Sequence, residues 1–240
     1  MSWNPRIAGV LAAALAVVLA HAQVLEKVPP RLGYLLYLPK KTWSAHKKWP
    51  LILYLHGKSL RGNDLSRVSK YGLPKRLLTD RGFPFIVVCP QLPSDQRWTD
   101  TRALAQLVKD ISRGYPVDPS RVYAAGFSMG ASGVWRVAHD NPGVFAAIVS
   151  IGGMYEKPLV ADGKMKGVNA WIIHGTVDTE ASEPAAREFY KLFVAKGGKG
   201  KYTPLPGQGH NIPTVFEGSG LYKWMLAHTL KRQRVRVVRI

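Results

Sequence analysis

Short apolar runs with little polar alternation recur along this chain, and helix-length segments separate them. They are Leu32 to Leu38, Pro50 to Leu55, Phe85 to Val88, Arg121 to Ala125, Ala146 to Ile151 and Ala170 to Ile173. A strand with one wet face alternates apolar and polar residues, whereas a run without alternation is buried on both faces, as in a parallel sheet. The intervening segments carry helical spacing. Leu104, Leu107, Val108 and Ile111 stand at i, i+3, i+4 and i+7 within 101–113, which is one face of a helix. Met129 to His139, Glu183 to Lys196 and Leu221 to Leu230 read as further helices. Strand–helix alternation predicts βαβ units, and right-handed crossovers place helices on both faces of a mostly parallel central sheet. The expected class is α/β, without a large lid insertion.

The ends of the chain read differently. Residues 1–22 carry Arg6, a 14-residue apolar run from Ile7 to Ala20, and Ala20-His21-Ala22. This is the order of a cleaved secretory signal peptide; a membrane-spanning helix needs about 20 apolar residues. The expected mature chain is 23–240, one α/β domain, secreted or periplasmic, with no transmembrane anchor after cleavage. Residues 231–240 form a basic tail, within which Arg234 to Ile240 (RVRVVRI) reads as an edge strand or as disordered. Cys89 is the only cysteine, so no intrachain disulfide forms and the core must hold the fold.

Charge is lopsided, with 34 Lys and Arg against 15 Asp and Glu. Removing Arg6 with the leader takes the net charge from +19 to +18. Such a surface attracts anionic polymers or headgroups without regard to their sequence. No motif that reads nucleic-acid bases is present. A solvated basic surface is the plainer reading.

Residues 122–135, VYAAGFSMGASGVW, raise the functional question. Ser128 stands between Gly126 and Gly130 where an apolar strand ends and a helix begins. Ligands of open parallel sheets bind outside the carboxyl ends of the strands. The strand–turn–helix setting is that of a G-x-S-x-G nucleophile elbow; the alternative is a plain tight turn.

A serine hydroxyl needs a base, and the base needs an orienting acid, which on this type of sheet follow in the order Ser, acid, His. His139 lies 11 residues along the helix from Ser128, about 16 Å away at 1.5 Å per residue. His228 sits in the last helix, and His174 ends a strand and shapes the loop that follows. His210, in the loop Gly207-Gln-Gly-His-Asn211, is the chosen base. Asp178, just past the strand Ala170 to Ile173, is the chosen acid; its other reading is a residue at the start of a helix. The developing oxyanion needs two donors. Met129, after the nucleophile, offers one N–H. Lys58, in the loop His56-Gly57-Lys58, offers the second. Trp98 has two readings: it lines the cleft beside Ser128 as a substrate contact, or it packs under its own loop.

With these stretches, the chain resembles secreted α/β-hydrolases of the esterase, phospholipase/carboxylesterase and "predicted peptidase" group, near the feruloyl-esterase and polyhydroxybutyrate-depolymerase-like enzymes. The matching stretches are LYLHGKSLRGNDL (53–65), FIVVCPQLP (85–93), RWTD (97–100), VDPSRVYAAGFSMGASGVW (117–135), HGTVD (174–178), PGQGH (206–210) and LYKWMLAH (221–228). The resemblance implies the α/β-hydrolase fold and a triad of Ser128, Asp178 and His210. It departs at one loop. Relatives often carry HGAGERG, whereas here His56-Gly-Lys-Ser-Leu-Arg-Gly62 puts Leu60 at the acidic position. The expected activity is an exported serine esterase that needs no cofactor and no metal and acts on a small-molecule or polymer-linked ester. The alternatives are a prolyl-oligopeptidase-like serine peptidase on the same triad and a non-catalytic binder of anionic polymers.

Overall fold

The computed structural model describes residues 23–28, 32–39, 47–80 and 82–230. The leader 1–22 and the tail 231–240 lie outside the described residues.

Among the described residues, eight strands form one sheet: β1 (Gln23–Val28), β2 (Leu32–Tyr37), β3 (Trp49–Leu55), β4 (Ile86–Pro90), β5 (Val117–Phe127), β6 (Ala147–Ile151), β7 (Asn169–Gly175) and β8 (Lys199–Leu205). Their order across the sheet is β1-β2-β4-β3-β5-β6-β7-β8. The pairs β1–β2 and β2–β4 are antiparallel, and every other neighbouring pair is parallel. The helices are α1 (Gly72–Leu77), α2 (Thr101–Gly114), α3 (Met129–Asp140), α4 (Pro158–Ala161), α5 (Glu183–Ala195) and α6 (Ser219–Leu226).

The unbroken apolar runs have a direct cause. Successive side chains of a strand point to opposite faces. In β3, Leu51, Leu53 and Leu55 belong to one buried cluster with Leu104 and Leu107 of α2, Val134 and Trp135 of α3, and Phe189 and Phe193 of α5. Ile52 and Tyr54, between them, pack on the other face with Leu73 of α1, Phe216, and Leu221 and Met225 of α6. Every residue of β3 is buried, and each large side chain so placed contributes roughly 1.5–3 kcal/mol. Helices on one face alone would leave half of that run in water.

Local signals set the helix starts. Asp100 accepts from Ala103 N at the start of α2, and Ser182 accepts from Ala185 N at the start of α5, each cap contributing on the order of 1 kcal/mol. The expected strands and the four long helices stand within a few residues of their predicted bounds. The sequence reading did not name β1, the six-residue α1 or the four-residue α4. The β6–β7 connection, where an insertion could cover the sheet end, holds only α4. Cys89 is fully buried in β4, and burial pushes its thiol well above the usual range.

Candidate active site

Ser128 follows the last residue of β5 and precedes the first residue of α3. Its φ of 55° and ψ of −119° make it the one non-glycine residue with positive φ among the described residues. Backbone strain of this kind costs of order 1–3 kcal/mol and persists only where the surroundings enforce it. The flanking glycines enforce it by close approach. A Cβ on Gly126 would lie 2.3 Å from the carbonyl oxygen of Gly130, and one on Gly130 would lie 1.9 Å from that of Leu55. The glycines let α3 begin hard against β3 and β5, and the left-handed twist falls on the serine.

Three of the residues singled out in the sequence form one hydrogen-bonded line. Ser128 Oγ lies 2.8 Å from His210 Nε2, and His210 Nδ1 lies 2.8 Å from Asp178 Oδ2. Asp178 comes from the loop after β7, and His210 from the loop after β8. The Asp178 side chain is wholly buried. Its Oδ1 accepts from the backbone N–H groups of Glu180 and Ala181, each at 2.9 Å. Burial works against its charge, but the hydrogen bond from His210 and the two backbone donors outweigh it, and the carboxyl sits below its usual range. An ionised Asp178 fixes the proton of His210 on Nδ1, so Nε2 presents a lone pair to the Ser128 hydroxyl.

The other described histidines have partners of their own. His174 is fully buried, 3.0 Å from the carbonyl oxygen of Ala181 and 3.3 Å from Asp178 Oδ2. It braces the Asp178 loop from below. His139 bridges Asp140 and Asp162, and His228 Nδ1 donates to Trp224 O.

Two backbone donors stand beside the serine. Met129 and Lys58 each open a helical turn, α3 and the 3-10 turn Lys58–Leu60, where N–H groups have no partner within the turn. Neither N–H meets an acceptor among the described residues, and both residues line a recess shared with Ser128 and His210. Gly57 brings the loop close: a Cβ there would sit 3.5 Å from Ser128 Cβ.

His56 holds that loop. It is fully buried, its Nδ1–H donates to Gly57 O at 2.7 Å, and its Nε2 accepts from Leu92 N at 3.2 Å. Burial, with a smaller push from the Arg61 charge, brings its pKa down to about 4, so it stays neutral in this tautomer.

Trp98 corrects one expectation. It does not line the cleft around Ser128. Only 2% of it is exposed; its indole N–H donates to His56 O at 3.0 Å, and its Cβ packs against Gly133 of α3. A buried indole needs an acceptor, and this one finds it under the His56 loop. The neighbouring Arg97 reaches the recess instead.

The cleft over Ser128 has a volume of about 730 Å³. Lys58, Arg61 and Arg67 line it with Tyr71, Phe127 and His210. The arginines are residues the sequence reading passed over. Arg61 stood in the quoted loop His56–Gly62, where Leu60 takes the acidic position of the resembling family, and Arg67 lies beyond that loop. A cleft-lining serine and base, a buried acid behind them and two free N–H groups beside them can carry nucleophilic attack on a carbonyl with stabilisation of the oxyanion.

No family model matches the sequence, and no curated protein matches it. Solved structures do match. A thermostable esterase aligns at 22% identity and a TM-score of 0.73 over 87% of this chain. This chain spans 63% of that esterase's length. An S-formylglutathione hydrolase from Agrobacterium tumefaciens aligns at 17% identity and a TM-score of 0.67, over 91% of this chain and 99% of that one. An acylaminoacyl peptidase aligns at 13% identity and a TM-score of 0.62, over 89% of this chain and 42% of that one. These are likenesses of fold, and with the strand order and the two helical layers they identify the architecture as that of the α/β hydrolases.

Proposed function

We propose that the protein is an exported serine hydrolase that cleaves carboxylic esters through an acyl-enzyme. The observation that carries this reading is the hydrogen-bonded line Ser128–His210–Asp178, with both links at 2.8 Å. Ser128 Oγ attacks the carbonyl carbon as its proton passes to His210 Nε2. The carbonyl oxygen becomes an oxyanion held by the N–H groups of Met129 and Lys58. The intermediate collapses, the C–O bond to the alcohol breaks, and His210 returns the proton to the leaving oxygen. Water then attacks the acyl-enzyme along the same path, and Ser128 is restored. Asp178 stays ionised throughout and steadies the imidazolium. Export rests on residues 1–22 and is tested by sequencing the N-terminus of the protein recovered from outside the cytoplasm; a start at Gln23 supports it.

The likeness to an acylaminoacyl peptidase keeps a peptidase reading beside this one, since both reactions pass through the same acyl-enzyme. A fluorophosphonate probe and paired 4-nitrophenyl esters and 4-nitroanilides of the same acyl groups separate the readings. Labelling of Ser128 with turnover of the esters supports the esterase. Turnover of the anilides at comparable kcat/KM supports the peptidase. Absence of both labelling and turnover leaves a binder of anionic polymers.

A further inference from the structure

We propose that the cleft is built for esters carrying a carboxylate on the acyl or alcohol portion, a specificity that rests on the esterase reading above. Ligand pockets are ordinarily apolar with a few polar groups. This one is rimmed by Lys58, Arg61 and Arg67, with Arg97 beside them in the adjoining recess. Glu180 is the sole carboxylate on the rim among the described residues.

The two inner arginines are fixed without being neutralised. Arg61 donates from Nε to Lys58 O at 3.2 Å and from Nη1 to Gln96 O at 3.0 Å. Arg67 donates from Nη2 to Ser59 O at 2.9 Å. Each is tied by backbone carbonyls to the loop that carries the Lys58 N–H. Neither makes an ion pair among the described residues, whereas Arg76, Arg113, Arg121, Arg136 and Arg187 all do. Carbonyl bonds hold a guanidinium in place and leave its charge intact. Nη2 of Arg61, and Nε and Nη1 of Arg67, make no hydrogen bond among the described residues, and both side chains line the cleft. Planar N–H pairs of this kind match a carboxylate and bind it more strongly than a neutral acceptor. Loop 56–62 holds two cations and no acid; the carboxylate that follows it, Asp64, feels the Arg67 charge but is turned to Ser66 N and makes no ion pair with Arg67 among the described residues.

The test couples substrate charge to residue charge. Mono-4-nitrophenyl glutarate is compared with 4-nitrophenyl valerate, and 4-acetoxybenzoate with phenyl acetate, in wild type, Arg61→Gln, Arg67→Gln and Lys109→Gln. Lys109 removes the same charge from the exposed side of α2. The expected result is a loss of tenfold or more in the charged-to-neutral ratio of kcat/KM for Arg61→Gln or Arg67→Gln, in whichever pair carries the carboxylate on the recognised side, with the ratio of Lys109→Gln held within twofold of wild type. In parallel, binding of monomethyl glutarate and of 4-acetoxybenzoate to Ser128→Ala is measured by calorimetry, with and without Arg67→Gln. Ratios that move less than twofold in both pairs, or that fall equally in Lys109→Gln, overturn the carboxylate site while esterase activity stands. Binding that depends on Arg67 without turnover of any ester sinks the esterase reading and leaves the carboxylate site in place.

Discussion

The indole N–H of Trp98 donates to the carbonyl oxygen of His56 at 3.0 Å, and the two rings meet edge to face with centroids 5.0 Å apart. The loop with the proposed Lys58 donor is therefore pinned from beneath. Trp98→Phe keeps most of the buried ring and leaves the His56 carbonyl without its donor, a loss of about 1–3 kcal/mol. The melting temperature should fall by about 2–10 °C for a chain of this size, and kcat/KM should drop by a similar factor for every ester. Thermal unfolding and an ester panel check this. A changed ester preference with an unchanged melting curve would return Trp98 to the cleft.

Ser128 carries the strain of the corner. Ser128→Ala keeps the Cβ and the strain, whereas Ser128→Gly releases it. Both should lose at least about 10⁴-fold in kcat, given the nucleophile role proposed for Ser128. Ser128→Gly should melt higher than Ser128→Ala by the equivalent of about 1 kcal/mol. Equal melting temperatures would mean that φ of 55° costs nothing here.

The two histidines near Asp178 should separate cleanly. His210→Ala should lose about 10³-fold or more in kcat, with stability changed by about 1 kcal/mol or less. His174→Ala opens a cavity in a fully buried site and strips a donor from Ala181 O, so stability should fall by about 2–4 kcal/mol. Its residual activity per folded molecule should exceed that of His210→Ala. Urea unfolding with single-turnover rates distinguishes the two, and the reverse ranking would exchange their roles.

His56 sets an acid limit on stability. Its pKa falls from 6.5 to about 4 on folding, so the unfolded chain takes up the proton first as pH falls. The contribution is fully present above pH 6.5 and is lost between 6.5 and about 4. At 1.36 kcal/mol per pH unit the full loss is on the order of 3 kcal/mol. His56→Asn should flatten the fall in unfolding free energy across that window. An unchanged slope would place the acid sensitivity elsewhere.

Much of this was legible in residue order. Unbroken apolar runs announce strands with both faces covered, and the order Ser128, Asp178, His210 follows from which loops leave the carboxyl edge. What was not legible depends on partners distant in sequence. Trp98 reads equally as a cleft wall or an anchor until His56 O, 42 residues away, is known to meet its N–H. Gly130 reads as a turn glycine, yet what forbids a side chain there is the carbonyl of Leu55. Arg61 and Arg97 sit in loops and Arg67 in the 3-10 turn Leu65–Lys70, and no local pattern records that they converge. β1 (QVLEKV) has too mixed a composition to stand out beside the apolar runs.

The order of strands in the sheet has a temporal side. Lys58 follows β3, Ser128 follows β5, Asp178 follows β7 and His210 follows β8. The hydroxyl and its base are separated by 82 positions, about 4–16 s of synthesis at 5–20 residues per second. Throughout that interval a nascent chain holds the serine with nothing to take its proton. On the proposed triad, docking of β8, the last strand on that side among the described residues, is the step that arms the molecule, and a fragment cut short of it should be inert.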